Sequence, residues 1–181
     1  MPTENEKKYV LDLNTEEKFQ KLAESKNLIL QGYLFSSKGT SLRLRKMKNK
    51  HYLTLKSTVN GRVVEIENQI DERDFNDLWT QCMNKLEKIR YIVSDKHGQQ
   101  WEIDFFKDHN GVNYFALAEF EMPEGQLAPL FLPRFIKENL LFEVPLTDCR
   151  FASKLLADIR YASDIYKLIK DSHNGTTLQT G

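Results

Sequence analysis

Polar and apolar residues alternate along much of this chain, and the period of two, interrupted by turn signals, predicts strands. In the first, Glu4, Glu6 and Lys8 fall on one face and Tyr9, Leu11 and Leu13 on the other. Leu28 to Phe35 places Gln31 and Tyr33 opposite Leu28, Leu30 and Leu34, and Ser41 to Met47 sets Arg43 and Arg45 against Leu42 and Leu44. Tyr52, Thr54 and Lys56 oppose Leu53 and Leu55, and Glu65 and Glu67 oppose Val64, Ile66 and Ile70. Three further strands pair Lys88 with Arg90, Glu102 with Asp104, and Glu119 with Glu121, the last two against apolar faces. Turn signals at Ser36-Ser37-Lys38-Gly39, Asn49-Lys50, Asn60-Gly61, Lys96-His97-Gly98 and Asn110-Gly111 imply antiparallel connections, Asn60-Gly61 being the strongest hairpin signal.

A period near 3.6 takes over in three places. Asn14 or Thr15 can cap a helix carrying Phe19, Leu22 and Ala23, and Asp71 can cap one that runs to Leu86 with Phe75, Leu78, Trp79 and Cys82 on one face. Residues 151 to 170 repeat the pattern with Leu155, Leu156, Ile159, Ala162, Ile165, Tyr166 and Ile169. Between Glu124 and Glu143, Pro129 and Pro133 punctuate a segment of short helices that cover the sheet. From Asp171 the chain is small and polar, which predicts an unstructured tail over 171–181 behind a single domain over 1–170.

At 181 residues the chain can bury a real core. Lys+Arg and Asp+Glu each number 26, so the formal net charge is zero and no nucleic-acid or membrane partner is expected from bulk charge. With no apolar span, no basic leader, and Cys82 and Cys149 far apart without a histidine cluster, a reduced, cytoplasmic protein is expected. Monomer and homodimer stay open.

Acidic and basic residues segregate into separate strands, while the opposite faces stay apolar. That segregation is unnecessary for a solvated sheet surface, and it suits a site for a highly charged ligand. The expected fold is therefore α+β: an eight-stranded antiparallel β-barrel, or tunnel, with a charged interior and helices packed outside. Such a lumen must be wet, because burying ions dry costs several kcal/mol each. Arginine forks and lysine point charges suit phosphate oxygens, and paired carboxylates suit Mg²⁺ or Mn²⁺ completed by water and phosphate. A short linear polyphosphate with a divalent cation is the expected ligand.

On these residues the chain resembles the CYTH superfamily, the triphosphate tunnel metalloenzymes, over roughly residues 4 to 157. The pieces are Glu4-x-Glu6-x-Lys8, Gln31-Gly32-Tyr33-Leu34, Arg43-x-Arg45, Thr54-Leu55-Lys56-Ser57, Glu65-x-Glu67, Lys88-x-Arg90-Tyr91, Ile103-Asp104-x-Phe106, Glu119-x-Glu121, and Asp148-x-Arg150 with Leu156-Ala157. It differs from the pattern at Asn5, at Arg62, in the lengthened Val144 to Asp148 segment and at Phe151.

The resemblance implies metal-dependent chemistry on a triphosphate, and the Gln-Gly-Tyr-Leu strand is most similar to the bacterial inorganic triphosphatase branch. It implies Glu4, Glu6, Glu119 and Glu121 as metal ligands, with Asp104 in the metal set or orienting a metal-bound water or a basic residue. Arg43, Arg45, Lys56, Lys88, Arg90 and Arg150 are the implied phosphate-binding set, supported by Glu65 and Glu67. Lys8, hydrogen-bonded to Tyr33 and with its pKa lowered by nearby cations, is the candidate for proton transfer. Glu102 reads as structural. Tripolyphosphate is the expected substrate; a class IV-type adenylate cyclase, a thiamine triphosphatase and a non-catalytic polyphosphate or nucleotide binder are the alternatives.

Overall fold

A computed structural model describes residues 5–60, 62–123 and 125–178, with side chains through 175. Glu4 lies outside the described residues. Nine strands form one antiparallel sheet: β1 (Glu6–Leu11), β2 (Ser25–Ser37), β3 (Thr40–Met47), β4 (Lys50–Val59), β5 (Arg62–Ile70), β6 (Asn84–Ser94), β7 (Gln100–Lys107), β8 (Asn113–Glu121) and β9 (Leu140–Val144), in the spatial order β5-β4-β3-β2-β6-β7-β8-β1-β9. Eight of them are the strands that alternation predicts. The ninth corrects the expectation of short helices up to Glu143: Leu140–Val144 pairs with the free edge of β1, Lys8 opposite Val144 and Val10 opposite Phe142. A single helical turn, α3 (Arg134–Lys137), precedes it.

Tight turns set the register of the hairpins. Lys38 and Gly39 both take positive φ, 45° and 80°, between β2 and β3, as a two-residue hairpin turn demands. Asn60, at φ 50°, turns β4 into β5.

The outer face is apolar and covered in part, Leu28 of β2, Leu55 of β4 and Val64 and Ile66 of β5 staying exposed. Tyr9, Tyr91, Trp101, Ile103 and Phe105 are buried with Phe19 of α1 (Glu16–Leu22) and Ile136 of α3, and Leu44 is buried with Phe75 of α2 (Glu72–Trp79). Asp71 caps α2 as expected, its Oδ1 accepting from Asp74 N at 2.8 Å, but the helix ends at Trp79 because Asn84–Ser94 is recruited into the sheet beside β2. Gly32 makes that packing possible: a Cβ there would stand 2.8 Å from Cys82 Sγ.

The inner face has two levels. Side chains of directly paired residues share a face, so the register that sets Lys8 opposite Glu119 also sets Val10 opposite Leu117 one step further along. The first level is charged. The second is apolar: Val10, Leu86, Phe106, Phe115 and Leu117 pack on Phe151, on Leu156 of α4 (Ser153–Leu156), and on Ala162, Ile165 and Tyr166 of α5 (Ile159–Leu178). Helices α1 to α3 thus lie outside, whereas α4 and α5 stopper one end from within. The continuous helix expected over 151–170 is broken at Asp158, whose Oδ1 caps the backbone N–H groups of Arg160 and Tyr161. The expected tail is helical to Leu178, its polar residues from 171 to 175 being exposed and adding nothing to the core.

Among the described residues, β5 and β9 are the sheet's two edges and do not pair with each other. The segment that follows β9, from Leu146 to Lys154, instead helps wall the interior. No helix among the described residues is long and apolar enough to cross a membrane.

Candidate active site

A cavity of about 430 Å³ is enclosed by residues of β1 through β8 and of the 146–154 segment. Among the described residues seven cations line it, namely Lys8, Arg43, Arg45, Lys56, Lys88, Arg90 and Lys154, against four carboxylates, Glu6, Glu102, Glu119 and Asp148. A chain of zero net charge therefore concentrates positive charge inside, which draws an anion there whatever the overall balance.

One side of the cavity carries an alternating ion network. Glu6 and Glu119 flank Lys8, whose Nζ lies 3.0 Å from Glu6 Oε2 and 2.6 Å from Glu119 Oε1. Glu119 Oε2 also accepts from Arg90 Nη2 at 3.0 Å. Arg90 in turn donates to Glu102 through Nη1 and grips Asp104 with two prongs, Nε to Oδ1 at 2.7 Å and Nη2 to Oδ2 at 2.6 Å. Lys88 Nζ reaches the same Asp104 Oδ2 at 2.5 Å.

On the other side the cations are less well compensated. Arg43 sits 3.7 Å from Glu65 and Glu67, Thr54 Oγ1 donates to Glu67 Oε2 at 2.7 Å, and Lys56 lies 3.5 Å from Glu65. Arg45 has no carboxylate within ion-pair distance among the described residues; burial and the like charge of Arg43 pull its guanidinium below the usual arginine range. The Nε atoms of Arg43 and Arg45 are both buried without a hydrogen-bond partner. Arg43, Arg45 and Lys56 themselves line the cavity on this side and give it the positive surface that suits an anion's oxygens.

The structure brings together Glu6, Lys8, Tyr33, Arg43, Arg45, Lys56, Lys88, Arg90 and Glu119. It separates others. Arg150 does not line the cavity and is exposed, clamped on Asp148. Glu121 pairs with Glu6 in the β1–β8 ladder but is exposed at its end, outside the cavity wall. Glu65 and Glu67 stand behind Arg43 and Lys56 without lining the cavity themselves. Asp104 is fully buried and not in the wall, because it lies opposite Leu117, at the border of the apolar stopper.

The expected Lys8–Tyr33 bond is absent. Tyr33 Oη accepts from Gln31 Nε2 at 2.7 Å, and burial raises its pKa, so it is a protonated hydroxyl. The expected lowering of Lys8 is also corrected: burial opposes its charge, but Glu119 and Glu6 outweigh it and raise the pKa above the usual lysine range. Lys88 is the lysine that moves down, through burial and the neighbouring Arg90. Nearest neighbours decide these signs, and alternation within a strand does not reveal which residue stands across from which.

Glu102 was read as structural, yet it lines the cavity and bonds Arg90, and burial pushes its carboxyl up. The pairing of Glu102 with Asp104 on one face was its available signal. Lys154, in α4, had none; its Nζ donates to Ser36 Oγ at 3.2 Å from the far side of the cavity mouth. Among the described residues no group of three or more His, Cys, Asp or Glu is gathered as a preformed metal cage.

Fold and site together define a strand-walled, net-positive tunnel with oxygen-donor acids at one side, a receptacle for a compact polyanion. No protein-family model matches the chain. An inorganic triphosphatase of Acetivibrio thermocellus is 33% identical over 154 residues, which span 78% of this chain and 94% of that protein. The crystal structure of the inorganic triphosphatase NE1496 superposes with a TM-score of 0.58 at 29% identity, covering 87% of this chain and 95% of that one. A Bacillus halodurans protein suggested to be an adenylate cyclase shares the fold, with a TM-score of 0.51 at 14% identity over 75% of this chain and 96% of its own. The chain belongs to the CYTH superfamily of triphosphate tunnel metalloenzymes.

Proposed function

We propose that this protein hydrolyses inorganic tripolyphosphate to pyrophosphate and orthophosphate with Mg²⁺ or Mn²⁺. The observation that carries the reading is a cavity lined by Arg43, Arg45 and five further cations against four carboxylates among the described residues. The 33% identity to an inorganic triphosphatase over nearly that protein's full length supports the same substrate class.

The donor set fits a hard divalent cation. Glu6, Glu102 and Glu119 offer carboxylate oxygens at the cavity surface, and Mg²⁺ is held by one or two carboxylates plus waters and substrate phosphates, so no protein cage is needed. When bound, the ion neutralises phosphate charge and lowers the pKa of water. Arg43, Arg45, Lys56 and Arg90 hold the phosphate oxygens and meet the charge that spreads during an in-line transfer. Tyr33, protonated and held by Gln31, offers a hydroxyl donor. Water oxygen bonds to a terminal phosphorus, the bond from that phosphorus to the bridging oxygen breaks, and the water's proton leaves to solvent. Lys8, paired with Glu119 and Glu6, acts as a fixed cation in this scheme, ordering the two carboxylates. The proposed compartment is the cytoplasm, in keeping with two free cysteines.

The test is a panel of tripolyphosphate, thiamine triphosphate and ATP with each metal and full product identification. Orthophosphate and pyrophosphate from tripolyphosphate are expected. A cyclic nucleotide from ATP, or tight binding without turnover, overturns the proposal.

A further inference from the structure

Of the roles expected for Asp104, in the metal set or orienting a metal-bound water or a basic residue, its surroundings favour the last. It is fully buried, with Leu117 opposite it on β8 and Arg90 opposite it on β6. Both of its oxygens are occupied: Oδ1 by Arg90 Nε, and Oδ2 by Arg90 Nη2 and by Lys88 Nζ. Lys88 is itself buried, its ammonium 5.3 Å from the ring centroid of Phe106 and in ion-pair contact with Asp104, whereas Arg90 also reaches Glu102 and Glu119.

An ion such as Mg²⁺ keeps several waters and near-octahedral geometry, and a carboxylate walled in by Leu117 and two cations has no room for them. We infer that Asp104 is a positioning residue that fixes the Arg90 fork and the Lys88 ammonium toward the cavity, and that it is not a ligand of the metal. The inference rests on the proposed polyphosphate chemistry for its purpose, though not for its geometry. Orienting the fork before substrate arrives removes part of the ordering cost from binding.

Two measurements test this. The first uses Asp104→Asn, which keeps the shape and removes the charge. In EDTA, the affinity for tripolyphosphate measured by calorimetry should fall about 10-fold or more, the size of a lost charged hydrogen bond, while the Mn²⁺ midpoint for activation stays within about twofold of wild type. Unchanged metal-free affinity with a displaced Mn²⁺ midpoint would make Asp104 a metal ligand and overturn the inference.

Because Asp104→Asn strands a buried cation and risks unfolding, the second measurement uses the wild-type protein. The Arg90 Nε–H resonance, assigned by its loss in Arg90→Lys, should persist when Mg²⁺ is added without phosphate, with any change confined to the Nη protons that face Glu102 and Glu119. Its loss or broadening on Mg²⁺ addition would show the ion displacing the fork from Asp104. Failure of wild-type protein to bind tripolyphosphate would instead strike the proposed function and leave the resonance result to judge the clamp.

Discussion

Lys8 and Glu119 face each other across the β1–β8 ladder, and the lysine Nζ lies 2.6 Å from the glutamate Oε1. Glu119 is buried, which opposes its charge, but Lys8, Lys88 and Arg90 hold its carboxyl far below the usual range. A depressed carboxyl contributes stability above its unfolded pKa, about 4.3 for Glu, and that contribution is lost as pH falls through the folded value. Asp104 and Glu16 shift the same way, Glu16 through Lys107, Asn113 and Tyr91 acting against burial. The urea midpoint of metal-free protein should be nearly flat from about pH 7 to about pH 5 and drop below about pH 4.3. Glu119→Gln should be less stable at neutral pH and lose part of the acid slope; an unchanged slope would contradict the assignment.

Arg43→Ala and Arg45→Ala each remove a cavity donor without emptying an apolar core. Each should lower kcat/KM for tripolyphosphate by about 10²- to 10³-fold, the usual loss for one preorganised donor, with circular dichroism unchanged. Steady-state kinetics on the folded variants checks this.

Glu6→Gln keeps the shape of a cavity-lining side chain and removes its charge. The Mn²⁺ concentration for half-maximal activity should rise roughly 10- to 100-fold, as for groups that support a metal site. An unchanged midpoint would remove Glu6 from the metal set.

Gly32→Ala tests the fold apart from the site. The added Cβ would stand 2.8 Å from Cys82 Sγ and 2.9 Å from both Cys82 Cβ and Trp79 Cζ3. Overpacking of this kind costs about 1 to 3 kcal/mol, read as a lower urea midpoint.

The strands were legible because each has a charged and an apolar face, and that polarity requires a sheet with two different environments. Leu140–Val144 escaped because it is short, follows two prolines and pairs with β1 across the 128 residues between Leu11 and Leu140, a partnership no local pattern encodes. The break at Asp158 was hidden for the opposite reason, since Leu156, Ala162 and Ile165 keep helical spacing across it while the capping carboxylate looks like any surface acid. In the site, alternation identified which residues face inward, as with Arg43, Arg45 and Glu119. It did not give depth. Asp104 shares a face with Glu102, yet one is sealed at the stopper and the other lines the cavity. Depth depends on where α4 and α5 enter, a property of the assembled fold.

The proposed chemistry requires one tunnel to hold a triphosphate and its metal between the acidic and basic rows. Crystals of the inactive-slow Arg45→Ala protein and of wild type, each grown with Mn²⁺ and tripolyphosphate, test it by anomalous scattering. In the wild type, manganese should lie within coordination distance of Glu6 or Glu119 and phosphate oxygens within hydrogen-bond distance of Arg43 and Arg45. Phosphate and manganese found outside this cavity, with no phosphate oxygen on Arg43 or Arg45, would contradict it.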